Sequence, residues 1–155
     1  MAAPRYELVG VAAVRLRGFA GLTALVPATN IFTKPPASYV PPYITVEDSY
    51  SIRDDMQCVD GLNVTLNIHV WTDDSHPLKV WSADSPPVKH VLGGGALQDA
   101  RVIGWQVVKA LHHYALALPG NTLVDLYNTG ERYFYDQDGT TGHGVVTMEA
   151  SIEAT

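Results

Sequence analysis

From Leu62 to Trp71 the chain alternates without a break: Leu62, Val64, Leu66, Ile68 and Val70 are aliphatic, while Asn63, Thr65, Asn67, His69 and Trp71 are polar or amphipathic. Successive side chains of a strand point to opposite faces, so this spacing predicts a long antiparallel strand with one buried face and one left for water or a partner. The last segment repeats the pattern, with Val146, Met148, Ala150 and Ile152 on one side and Thr147, Glu149, Ser151 and Glu153 on the other. A sheet of that kind needs helices on one face only. The expected fold class is α/β in the α+β sense, a mainly antiparallel β-sheet with helices packed on one face.

The remaining elements follow from local chemistry. Tyr6–Arg17 holds good or neutral helix formers, with Leu8, Val11, Ala12 and Arg15 at near-helical spacing, and Gly18 and Gly21 break it. Phe19–Val26 predicts a short helical turn that ends before Pro27. Pro27, Pro35, Pro36, Pro41 and Pro42 forbid a continuous helix between them and predict an extended, exposed loop. Tyr43–Glu47 reads as a short strand, Ser49–Gln57 as its polar continuation or hairpin partner, and Asp60-Gly61 as the turn into the long strand. Thr72–Gly95, with its prolines and the run Gly93-Gly94-Gly95, reads as an irregular surface loop over about 73–95. In Ala96–Leu116, the residues Leu97, Ala100, Gly104, Val107, Val108, Leu111 and Ala115 gather on one side, predicting the strongest helix, stopped by Pro119-Gly120. Thr122–Tyr135 predicts a strand with an irregularity at Asn128–Gly130, and Asp136–Gly142 a hairpin turn into the final strand. The sheet segments therefore lie near 43–57, 61–72, 122–135 and 143–154, in a single domain spanning 1–155.

With 155 residues, 46% of them hydrophobic and 17% charged, the chain suits one globular domain with a real core. A formal charge of -6 is the wrong sign for a protein that holds nucleic acid by neutralising phosphates. The single cysteine, Cys58, excludes an internal disulfide and a four-cysteine zinc site, and points to a reducing compartment. Glu7, Arg15 and Arg17 interrupt the apolar N-terminal stretch well short of the ~20 residues of a membrane span, so no membrane partner is expected.

Reactive groupings are sparse. The glycine run before a helix lacks the Gly-Lys-Ser/Thr of a phosphate loop and reads as a connector. His69, Asp73, Asp74 and His76 form a loose set without the tight paired spacing of a zinc site, and Asp136 to Gly139 reads as a hairpin turn rather than a calcium loop. His112-His113 falls on the polar side of the predicted helix, and Cys58 has no assignable base. No catalytic, cofactor-binding or metal residue is assigned. The informative anomaly is Trp105, which with Val102 projects from the otherwise polar helix side alongside Gln98, Arg101, Lys109 and His112; such a residue either covers a loop of its own chain or lies in a subunit contact. Phe32, Tyr39 and Trp81 in the loops are further interface candidates, with local packing as the alternative.

Several segments stand in a characteristic order: the N-terminal helix ending in Leu22 to Val26, Ile31-Phe32 followed by Pro41-Pro42-Tyr43 and on to Glu47, the strand ending in His69-Val70-Trp71, the helix Ala96–Leu116, and Asp138-Gly139 through His143-Gly144-Val145-Val146. Over nearly its whole length the chain resembles the tail-completion or tail-terminator family of long-tailed bacteriophages and gene-transfer agents. That resemblance implies a tail-terminator-like fold and a structural virion protein rather than an enzyme. It also implies a homohexameric ring at the head-proximal end of the tail tube, which stops tube polymerisation and joins the tail to the head connector. The implied partners are further copies of the chain, the tail tube protein and the head-side connector or stopper protein, with DNA passing through the ring without specific binding. The implied location is the virion, at the head–tail junction, after assembly in the host cytoplasm. Two competing readings are another neck or tail-tube component and a small metal-dependent enzyme using the His/Asp set.

Overall fold

The computed structural model describes residues 3–79 and 93–155. Helix α1 (Pro4–Arg17) opens with proline at its first position, where the missing N–H costs nothing, and closes at Gly18. A one-turn helix α2 (Ala20–Thr23) and a 3-10 turn at Ala28–Asn30 lead to a two-residue strand β1 (Ile31–Phe32). Then come β2 (Tyr43–Arg53), β3 (Asp60–Asp73), helix α3 (Ala96–Leu111), β4 (Asn121–Tyr135) and β5 (Thr141–Ala154). The five strands form one sheet in the order β1-β2-β3-β5-β4, parallel between β1 and β2 and antiparallel elsewhere.

The register follows the alternation. Val64, Leu66, Ile68 and Val70 are fully buried and Leu62 is half-buried against them; Val146, Met148, Ala150 and Ile152 bury from the neighbouring strand. Over this face lie Leu8, Ala12 and Leu16 of α1 and Ile103, Val107 and Leu111 of α3, so both helices cover one side of the sheet. Each of the Val, Leu, Ile and Met side chains among them contributes about 2 kcal/mol by leaving water. Glu7 is buried in the same layer, its two carboxylate oxygens accepting from the Gly120 N–H and the Asn121 side-chain amide, both at 2.8 Å. That pair of bonds ties the start of α1 to the start of β4.

The structure departs from the sequence expectations at five places. The proline-rich stretch is not wholly loop: Ile31 and Phe32 pair with Ile44 and Thr45, and the Asn30 side chain donates to the Pro42 carbonyl at 3.0 Å. Ser49–Gln57 divides, with β2 running on to Arg53. The turn lies at 54–59, closed by the Met56–Val59 bridge with Cys58 at positive φ, and Asp60-Gly61 already belongs to β3. Of the expected 73–95 loop, 80–92 lie outside the described residues; the described part has no helix or strand beyond Asp73, but it is held at its start, where the Asp74 carboxylate accepts from the Ala96 N–H at 2.9 Å and Leu78 is buried. Helix α3 ends at Leu111, five residues before Leu116, because His113 turns to φ 56° and donates its backbone N–H to the Leu126 carbonyl at 2.7 Å. His112 and His113 therefore lie beyond the helix rather than on its polar side.

Candidate assembly surface

The face of the sheet away from the helices carries a row of rings that crosses every strand. Tyr43, Trp71, His143 and Phe134 stand directly opposite one another on β2, β3, β5 and β4, and Phe32 of β1 with Tyr39 of the following loop continues the row. Trp71 stacks on His143 with centroids 3.8 Å apart, Tyr43 stacks on Trp71 at 5.9 Å, and Phe134 tilts onto His143 at 4.8 Å. Phe32, Tyr39 and Tyr43 meet edge to face at 4.9–6.3 Å. Offset and edge-on geometries of this kind add to the area the rings bury. Tyr39 and Phe134 keep 43% and 40% of their surface in solvent, so the row is open at both ends.

A chain of four titratable groups leads off it through His143 on the same face. His69 Nε2 faces Glu47 Oε1 at 3.1 Å, His69 Nδ1 lies 2.8 Å from His143 Nε2, and His143 Nδ1 faces Asp136 Oδ1 at 3.5 Å. Filling all three contacts takes three ring protons, and two neutral imidazoles carry two. Burial pushes both histidines below the ordinary imidazole value; Glu47 pulls His69 back up and Asp136 does the same for His143, while Arg132 and, for His143, its histidine neighbour press downward. The neutral pair therefore prevails near pH 7, and the long Asp136 contact is the one without a proton. Assigned from the hydrogen-bond pattern, His69 donates to Glu47 and His143 donates to His69.

Further along the same face the surface turns polar. Ser151 donates to the Asn63 side chain at 2.8 Å, Thr147 to that of Asn67 at 3.2 Å, and Asn63 to Asp54 at 3.2 Å. On the opposite, helical side, Trp105 stands 56% exposed on α3 between the exposed Arg101 and Lys109. Arg101 donates to the Gln98 side chain at 3.0 Å. Val102 is half-buried and packs on the core.

Of the residues singled out from sequence, Phe32 and Tyr39 thus join one cluster, Trp105, Arg101 and Lys109 share a separate patch, and Trp81 lies outside the described residues. The His69, Asp73, Asp74 and His76 set is dispersed: His69 turns to His143, Asp73 holds His76, and Asp74 holds the start of α3. Among the described residues no group of three or more His, Cys, Asp or Glu could hold a metal, and no described helix is long and apolar enough to cross a membrane. Tyr43, Glu47, Phe134, Asp136 and His143 were missed. Each sits at an ordinary strand or turn position, and only cross-strand register brings them together.

The comparisons with known proteins give both a family and a fold. The family model described as tail completion protein gp17 matches residues 13–153. The tail completion protein gp17 of Bacillus phage SPP1 is 26% identical over 129 residues, covering 83% of this chain and 81% of that protein. Among solved structures, a chain of the virion of a native gene transfer agent particle superposes with a TM-score of 0.77 over 99% of this chain and 100% of its own, at 18% identity, a likeness of fold. The chain belongs to the tail completion protein gp17 family, structural components of the virion tail and not enzymes.

Proposed function

We propose that the chain forms a closed homohexameric ring on the head-proximal end of the tail tube, halts polymerisation there and joins the tail to the head-side connector. The observation that carries this reading, beyond family membership, is the aromatic row across the open sheet face, which no helix among the described residues covers. Rigid rings held by their neighbours and open at both ends suit docking against another protein, where aromatic side chains are enriched. Phe32 and Tyr39 then belong to the contact with tube or connector, and Trp105, Arg101, Val102 and Lys109 to the contact between subunits. The net charge of -6 suits a passage through which DNA slides without being held. The whole of 1–155 acts as one domain in this account.

Electron microscopy of particles made with and without this chain tests the proposal. With it, the neck should carry a six-fold ring of this chain; without it, tubes should overrun their length and heads should stay unjoined. Tails of normal length attached to heads in its absence, or a three-fold or twelve-fold arrangement in the neck, would overturn the reading. Stacking of the purified chain into long tubes would instead make it a tube component.

A further inference from the structure

The two helices leave two unlike patches on opposite flanks of the molecule. Helix α1 packs over β1 and β2 and α3 over β3, β5 and β4, and the strand order sets β1 and β4 at the two edges of the sheet. On the α1 flank an open groove of about 870 Å³ is lined by Tyr6, Val9 and Val11 together with the charged Arg5, Glu7 and Asp48. Tyr6 is 81% exposed and Val14, two turns on, is 65% exposed. Gly10 stands between them, and a Cβ added there would meet nothing within 4 Å, so the helix surface is notched at that point. On the α3 flank Trp105 projects into solvent.

We infer that Trp105 of one copy of this chain seats in the α1 groove of the next, so that the ring closes head to tail through these two patches. The inference rests on the ring proposed above and names its contact. A closed heterologous ring requires two different surfaces on each subunit, placed apart, and a tryptophan opposite a notched apolar groove meets that requirement. Charge also matches. Arg101 and Lys109 flank Trp105 at one turn on either side without a carboxylate partner among the described residues, and the one acid of that helix, Asp99, is buried. The groove lining holds two acids, Asp48 engaged by Arg5 and Glu7 held by two neutral donors, against the one base Arg5.

The test is a coupling measurement on the full chain, with ring formation followed by native mass spectrometry and sedimentation across a concentration series. Trp105→Ala should weaken subunit association about 30-fold, the loss that removing an interface anchor brings. Gly10→Leu, which fills the notch on an exposed helix face, should weaken it comparably. The double variant should be little worse than either single one, because both remove the same contact. Trp105→Tyr should recover most of the association, and thermal melts of all variants should stay near wild type. Multiplicative losses in the double variant, or a normal ring in Trp105→Ala, would overturn this contact while leaving the ring intact. Absence of a ring both in solution and in particle necks would instead remove the ring itself, and the contact with it.

Discussion

Gly104→Ala sets two effects of opposite sign against each other. In the middle of an exposed helix the change would add about 1 kcal/mol of stability. Gly104 of α3, however, faces the ring of Tyr133 on β4: an added Cβ would overlap the phenolic oxygen outright and lie 2.9 and 3.0 Å from Cζ and Cε1. The ring has no room to swing aside, because it also lies across Gly144 of β5, whose own added Cβ would stand 2.8 Å from Cε1 and 2.9 Å from Cδ1. Its hydroxyl donates to Glu131 at 2.7 Å. Forcing a methyl into such a contact costs roughly 1–3 kcal/mol, and dislodging the hydroxyl from its acceptor about 1 kcal/mol more. After the helix gain is subtracted, the variant should be less stable by about 1–3 kcal/mol, a fall in Tm of roughly 3–9 °C for a chain of this size. Circular dichroism melts read this directly. The double variant Gly104→Ala with Tyr133→Phe should lose less than the two singles combined, since the closest overlap is gone. A rise in Tm for Gly104→Ala would show that helix propensity wins and that the ring is not held as described.

Both histidines of the half-buried pair have folded-state pKa values below the unfolded one near 6.5, so the folded state binds fewer protons and stability, complete above about pH 6.5, is lost as pH falls through the lowered values. The slope should reach at most about 1.4 kcal/mol per pH unit for each histidine, and subtracting the profile of the His69→Gln, His143→Gln variant isolates it from the carboxylates; equal slopes in both proteins would refute the assignment. Asp74→Ala removes the acceptor for the first amide of α3 and should lower stability by about 1 kcal/mol, with faster hydrogen exchange confined to the start of that helix. Glu7→Ala strands the Gly120 N–H and the Asn121 amide and should cost roughly 2–3 kcal/mol in a urea melt; a loss within 0.5 kcal/mol, as at ordinary surface sites, would mean water satisfies both.

Strands β3 and β5 were legible because one buried face imposes an unbroken period of two over many residues, and the irregularity foreseen at Asn128–Gly130 is a break in pairing between β4 and β5. Helix α3 was legible in its body but not at its end, because its stop signal is a tertiary one. His113 has no local reason to leave the helix; its amide finds the Leu126 carbonyl fifteen positions after the helix ends. Strand β1 was missed because two residues cannot display a period, and its existence depends on Ile44 and Thr45 lying beside it. The aromatic row is a two-dimensional object, in which Trp71 and His143 touch although 72 positions separate them. Trp105 stood out from sequence because a large apolar residue on a polar helix side violates a local rule, whereas His143 violates none.

The turn after α3 also settles what the outer margin of the sheet can do. Strand β4 is an edge strand, the kind of margin on which a stray extended segment from another chain can add itself. At its middle, the Leu126 carbonyl accepts from His113 and the Asn128 N–H donates to the His112 ring at 3.0 Å, so two backbone groups that would template such an addition are already occupied from within. Uncontrolled growth by strand pairing is thereby interrupted halfway along β4. Two histidines just past a helix thus guard this margin against stray strand addition.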